Sequence, residues 1–157
     1  MNYTISFTLN GTPVQVEAPA HINLLTLLRE HLDVVSPKFG CAQGNCGACT
    51  VHLDGEPVNS CLVLAMTVEG REVTTVEGIG TLREPHPLQV AFYENYGAQC
   101  GYCTPGMIMS SVALLQKNPN PTRDDVVNAI VGNVCRCTGY HKIVASVLAA
   151  AEQMKTK

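Results

Sequence analysis

The chain has no tryptophan, and aromatic residues make up only 5% of its 157 positions. It has no basic run, and its formal net charge is −3, which excludes the electrostatic footprint of a nucleic-acid binder. It has no long apolar run either. The longest near the C-terminal end, residues 143–151, is interrupted by Ser146 and falls far short of the roughly 20 residues a membrane span needs. The opening stretch, Met1-Asn-Tyr-Thr-Ile-Ser, has neither a charged n-region nor an apolar h-region, so export is not expected. Gly78-Ile-Gly80 lacks the third glycine and the βα context of a dinucleotide fingerprint, which leaves no flavin or nicotinamide site on this chain. The five histidines (His21, His31, His52, His86, His141) are scattered, none at ligand spacing with another, and read as structural. There is no internal repeat and no low-complexity segment.

What the chain does have is eight cysteines. Three sit in Cys41-Ala-Gln-Gly-Asn-Cys46-Gly-Ala-Cys49, among Gly40, Gly44 and Gly47, and Cys61 follows. That C-x4-C-x2-C…C spacing is the plant-type pattern for a 2Fe–2S cluster. The other four are spaced differently, as Cys100-Gly-Tyr-Cys103 and Cys135-Arg-Cys137. Small residues in the first loop let backbone N–H groups point inward at sulfur, which stabilises the reduced, more negative state. A disulfide framework would need an oxidising compartment. Structural zinc suits Cys100-x2-Cys103 alone, but zinc sites usually pair two such knuckles. A thiol-redox motif at 100–103 would have a strand before it, which is absent. Free thiols meant for metal imply a reducing compartment, so the expected location is cytoplasmic.

Hydrophobic residues make up 46% of the chain, enough to bury a core. Residues 3–9 and 14–17 read as strands around an Asn10-Gly11 hairpin turn. Asn23 is placed to cap a helix from Leu24 to about Leu32, with Leu25, Leu28 and Leu32 on one face and Arg29 and Glu30 pointing away. Further strands are expected over Thr50–Leu53, Pro57–Ser60 and Arg71–Val76, with a turn at Asp54-Gly55. This order fits a small mixed sheet packed on one helix, a β-grasp. After residues 77–84 the pattern becomes helical. Expected helices run from Leu88 to Tyr96, from a Thr104 N-cap to Gln116, from a Thr122 cap to about Gly132, and from Tyr140 to Met154. Tyr96, Tyr102 and Tyr140 flank the second cysteine set and read as shields. Met107 and Met109 read as core filling. His141 lies near enough to Cys137 to influence it.

Three stretches resemble the iron–sulfur part of the molybdenum hydroxylases, the xanthine oxidase family. Lys38-Phe-Gly-Cys41-Ala-Gln-Gly-Asn-Cys46-Gly-Ala-Cys49-Thr-Val51 resembles their first cluster motif. Gln99-Cys100-Gly-Tyr-Cys103-Thr-Pro-Gly106 and Gly132-Asn-Val-Cys135-Arg-Cys137-Thr-Gly-Tyr140 resemble the two halves of the second. The resemblance implies an α+β chain. A plant-type ferredoxin-like β-grasp domain at 1–78 would precede a four-helix bundle domain at 79–157. It implies two 2Fe–2S clusters, one on Cys41, Cys46, Cys49 and Cys61, the other on Cys100, Cys103, Cys135 and Cys137. The second would lie nearer a molybdopterin cofactor on a large partner subunit, with Gln99 and the region of Cys137 contacting the pterin. The first would lie nearer FAD, on a medium subunit, or another acceptor. The expected activity is electron transfer within a heterotrimer, with the substrate chemistry on a partner. The alternatives are a free-standing two-cluster ferredoxin and a zinc-stabilised interaction module.

Overall fold

The computed structural model describes residues 2–155. The expectations for Met1, Thr156 and Lys157 lie outside the described residues.

The first half builds a five-stranded mixed sheet. Strands β1 (Asn2–Leu9) and β2 (Thr12–Pro19) form an antiparallel hairpin. Its turn, Asn10-Gly11, has φ of 51° and 77°, both positive, as a type I′ turn requires. Strands β3 (Thr50–Leu53) and β4 (Glu56–Asn59) form a second hairpin through Asp54-Gly55. Strand β5 (Glu72–Thr74) joins them, parallel to β1 and antiparallel to β3, so the order is β2-β1-β5-β3-β4. Ile5, Phe7 and Leu9 alternate inward from β1 to meet Leu24, Leu27 and Leu28 in one core.

Helix α1 covers only Leu24–Thr26, capped by Asn23 Oδ1 accepting from the Thr26 N–H at 2.9 Å. Residues Leu27–His31 then wind as a π turn, so the α-helix expected to reach Leu32 does not. The segment is closed by Asp33 in a left-handed conformation (φ 55°), with the Val34 N–H reaching back to the Leu28 carbonyl at 2.9 Å. Leu25 leaves the sheet core and packs instead with Cys49 and Cys61.

The second half is helical. After a single turn, α2 (Val76–Ile79), come α3 (Pro87–Glu94), α4 (Thr104–Lys117), α5 (Arg123–Ala129) and α6 (His141–Lys155). Leu88, Phe92, Met107, Ile143 and Val147 meet in a separate core. Thr122 caps α5 as expected, in a reciprocal capping box with Asp125. The expected Thr104 cap is displaced by one residue: Cys103 is the N-cap of α4, and Thr104 already lies inside the helix. Among the described residues, no helix is long and apolar enough to cross a membrane.

The halves meet where β3 lies against α4. His52 is buried there (3% exposed), with Nε2 2.8 Å from the Met109 carbonyl oxygen. A carbonyl only accepts, so Nε2 carries the proton and donates. Burial pulls the His52 pKa below its ordinary 6.5, outweighing the Met109 carbonyl and Glu56, which favour the charged form; Lys117 adds to the lowering. Well above pH 6.5 the ring is neutral in both the folded and the unfolded chain. Below it, the unfolded chain takes up a proton that the folded chain resists, so stability falls. Urea unfolding across pH 7.5 to 5.5 is expected to show a loss in the wild type that is reduced in His52→Gln, whose amide can still donate to Met109. Identical pH slopes in both proteins would contradict this.

Candidate metal centres

The eight thiols meet two by two. Cys41 touches Cys46, and Cys49 touches Cys61. In the second half, Cys100 touches Cys137 and Cys103 touches Cys135. Among the described residues, no three His, Cys, Asp or Glu side chains close on one point as a single-ion site.

Each set has a deeper and a shallower pair. Cys49 and Cys61 are buried behind Leu25, whereas Cys41 and Cys46 are part exposed. Cys103 and Cys135 are part buried, whereas Cys100 and Cys137 are exposed. A cavity of about 270 Å³ opens between the sets, with Cys41 and Cys46 on one side and Cys100, Cys103, Cys135 and Cys137 on the other. A larger groove of about 490 Å³ lies at the linker beside Glu77, Leu82 and Tyr93, with no thiol in its walls.

The loops act on the thiols unequally. The Gln43 and Asn45 N–H groups donate to Cys41 Sγ at 3.4 and 3.3 Å. Led by the Gln43 bond, they draw the Cys41 pKa down to about 7. Burial pushes Cys49 up to about 11, reinforced by the Cys61 thiol. Burial also pushes Cys103 up to about 12, with Cys135 adding to it. Burial opposes the Cys135 thiolate too, but the Thr138 hydroxyl at 3.1 Å and nearby backbone N–H groups hold its pKa below the ordinary value. The Cys100 thiol beside Cys137 holds the latter above it.

These donors fit an iron–sulfur group. All eight are sulfur, the soft ligand such clusters require. The buried thiols resist carrying charge alone, and a coordinated cation removes that penalty. Thr104 Oγ1, next to Cys103, is buried without a hydrogen-bond partner, a donor with nothing yet to donate to.

The two sets are joined by buried polar contacts. The Val134 N–H donates to the Cys46 carbonyl at 2.9 Å, one residue before Cys135. Asn133, 4% exposed, donates from Nδ2 to the Gly47 carbonyl at 3.0 Å and accepts the Ser110 hydroxyl at 2.7 Å. Tyr140 does more than shield. Its hydroxyl accepts the Cys135 N–H at 2.9 Å and faces the Asn133 carbonyl at 3.3 Å, closing the loop around the second set. His141 is exposed in the first turn of α6, and Gln99 is exposed beside Cys100. Sequence spacing does not point to these roles for Asn133 and the Tyr140 hydroxyl. The one signal is an Asn directly after a glycine and two residues before Cys135.

The contact leaves no space for side chains. A Cβ on Gly106 would lie 2.2 Å from the Gly47 carbonyl oxygen, and Gly47 itself has φ of 66°. Gly106→Ala is therefore expected to separate the halves and lower iron content per chain, whereas Gly132→Ala, whose Cβ meets nothing within 4 Å, leaves it unchanged. Asn133→Ala strands the buried Ser110 hydroxyl, while the Gly47 carbonyl keeps the Thr50 N–H and hydroxyl, and is expected to cost about 1–3 kcal/mol in chemical denaturation. Equal iron loading in both glycine variants would contradict the packing account.

Comparison with known proteins agrees with this arrangement. Residues 7–78 match the family model of the 2Fe-2S iron-sulfur cluster binding domain, and residues 75–148 that of the [2Fe-2S] binding domain. The chain is 46% identical to the nicotinate dehydrogenase small FeS subunit of Eubacterium barkeri, covering 96% of both chains. It is 45% identical to the isoquinoline 1-oxidoreductase alpha subunit of Brevundimonas diminuta, covering 95% of this chain and 98% of that one. Among solved structures, quinoline 2-oxidoreductase from Pseudomonas putida superposes with a TM-score of 0.95 at 39% identity, over 99% of this chain and 97% of that one. The aldehyde oxidoreductase of Desulfovibrio desulfuricans superposes with a TM-score of 0.95 at 42% identity, over 98% of this chain but 17% of that one, which carries the same unit within a longer polypeptide. With two 2Fe-2S domain models matched and relatives aligned over nearly their whole length, the chain belongs to the two-cluster iron–sulfur subunits of the molybdenum hydroxylases, the xanthine oxidase family.

Proposed function

We propose that this chain carries electrons from a molybdopterin site on a large partner subunit, through two 2Fe–2S clusters, to FAD on a medium subunit or to another acceptor, within a cytoplasmic heterotrimer. The observation that carries the reading is four touching pairs of free thiols, with the loops of the two cysteine stretches joined through the Val134 N–H and the Cys46 carbonyl. When bound, each cluster takes up and returns one electron at a time. The substrate is bound and oxidised on the partner, so its identity is not written in this chain.

We assign Cys41, Cys46, Cys49 and Cys61 to one cluster and Cys100, Cys103, Cys135 and Cys137 to the other. Each touching pair of thiols would serve one of the two irons of its cluster. We divide the chain at residues 78 and 79, into a ferredoxin-like β-grasp domain and a four-helix bundle domain. The separate cores support this division, although Val76 already packs with the second core.

The chain's own residues hold and tune. The N–H groups of Gln43 and Asn45 on Cys41, and the Thr138 hydroxyl on Cys135, draw negative charge off sulfur and so favour the reduced state. Leu25 keeps water from the Cys49–Cys61 pair. Cys100, Cys137 and Gln99 are exposed together, which suits a face turned to the pterin-bearing partner. Ala42, Gln43 and Asn45 are exposed at the first loop, the face assigned to the acceptor side.

Reduction of the purified chain is expected to give two distinct rhombic EPR signals, with about four irons per chain. Cys46→Ser should abolish or alter one signal and leave the other. A colourless chain loaded with zinc would overturn the reading. In the native complex, Gln99→Ala is expected to keep both clusters but slow reduction of the second cluster by substrate. Unchanged reduction kinetics would remove Gln99 from the pterin contact. Recovery of the native protein only as a monomer, with no molybdopterin-bearing partner, would favour the free-standing carrier.

A further inference from the structure

The segment that leads into the first cysteine loop carries no thiol, yet three separate parts of the chain hold it. From the π turn, Arg29 Nη1 donates to the Val35 carbonyl at 2.6 Å and to the Pro37 carbonyl at 2.8 Å. The same guanidinium lies 5.9 Å from the centroid of the Phe39 ring, within cation–π range. From the linker, Glu77 accepts the Ser36 N–H at 3.2 Å and also the Ser36 hydroxyl. From the second half, the Tyr102 hydroxyl donates to the Phe39 carbonyl.

What lies beyond this segment is the first thiol set. The Lys38 N–H donates to the Ala48 carbonyl at 3.0 Å, inside the cysteine loop. Gly40 packs so tightly on Cys46 that a Cβ there would sit 2.5 Å from the Cys46 sulfur. The place of Gly40 therefore decides the place of that sulfur. Tyr102 stands between Gly101 and Cys103, and its ring lines the cavity between the two thiol sets. The Phe39 carbonyl thus touches a residue flanked by the second set, while its chain neighbour Gly40 touches a thiol of the first.

We propose that Arg29 is a positioning residue for the first cluster. By gripping the Val35 and Pro37 carbonyls it places Phe39 and Gly40, against which Cys46 rests and to which Tyr102 bonds, and so it sets the separation and orientation of the two cluster sites. This grip is distinct from the Asn133 and Val134 contacts, which join the halves through the Gly47 and Cys46 carbonyls. A lysine keeps the charge but not the two-hydrogen grip of one guanidinium nitrogen combined with stacking on Phe39. The inference rests on the two-cluster reading.

The test uses the full chain with clusters loaded, comparing wild type, Arg29→Gln, Arg29→Lys, Tyr102→Phe and Arg83→Gln, the last a control at an exposed site. Two readouts are taken: the EPR line shape and midpoint potential of each cluster, and the splitting that arises when both clusters are reduced together. Arg29→Gln and Arg29→Lys are both expected to shift the midpoint and g-values of the first cluster and to change the splitting, with the second cluster's own signal retained. Selective loss of iron from the first set in either variant supports the proposal as well. Tyr102→Phe removes one oxygen and is expected to change the splitting while both clusters stay loaded. Arg83→Gln is expected to match the wild type. The proposal is overturned if Arg29→Lys restores wild-type values, because charge and not grip would then be at work. It is also overturned if both Arg29 variants keep the wild-type potentials and splitting. Absence of both signals from the wild type would instead overturn the two-cluster reading, and this inference with it.

Discussion

Everything in the molecule depends on two backbone loops lying in direct contact, one from each half. The Cys46 carbonyl accepts the Val134 N–H, and the Asn133 amide spans from the Gly47 carbonyl to the Ser110 hydroxyl. Partners 86 residues apart in the chain meet in a space that water does not share. Parting the halves would leave the buried Asn133 amide without its Gly47 acceptor, and a buried polar group left unpaired is costly. That cost makes the two thiol sets one unit. It also explains the glycine at residue 106, since a side chain there would strike the opposing carbonyl.

Within that unit, exposure of the thiols is graded. The deepest pair, Cys49 and Cys61, sits behind Leu25, and the pair opposite the second set, Cys41 and Cys46, is part exposed. Across the intervening cavity lie Cys103 and Cys135, and then the exposed Cys100 and Cys137. A buried thiol cannot easily hold charge by itself, which is why Cys49 and Cys103 are pushed up while Cys41, ringed by N–H donors, is drawn down. Metal binding reverses the penalty at the buried positions, so folding and cluster assembly reinforce one another.

The chemistry was legible in the sequence because ligand spacing is local. Three cysteines within one loop, a C-x2-C and a C-x-C point to sulfur ligation, and both cluster-domain models match the chain. The hairpins at Asn10-Gly11 and Asp54-Gly55 and the Thr122 cap were also legible, because each rests on neighbours in the chain. What sequence reading missed depends on distant partners. Arg29 read as a solvent-facing residue of an α-helix. In the fold, a π turn and the Asp33 reversal bring it back onto the carbonyls ahead of Cys41. Thr104 read as a cap, but the chain enters α4 one residue earlier, and its hydroxyl is left free beside Cys103. The structural reading of His52 holds, but its partner, like that of Asn133, could not be read: a buried polar residue takes its partner from the surface that closes over it, here the other half of the chain.

The central claim is that both thiol sets hold 2Fe–2S clusters in a single electron-carrying unit. Mössbauer spectroscopy of the oxidised, iron-loaded chain tests it most directly, because it counts every iron whatever its spin state. The account predicts equal amounts of iron in two sites, all of it ferric, sulfur-coordinated and paired to a diamagnetic ground state. Magnetically isolated iron, or all of the iron in one site with the second set of thiols holding zinc, would contradict it.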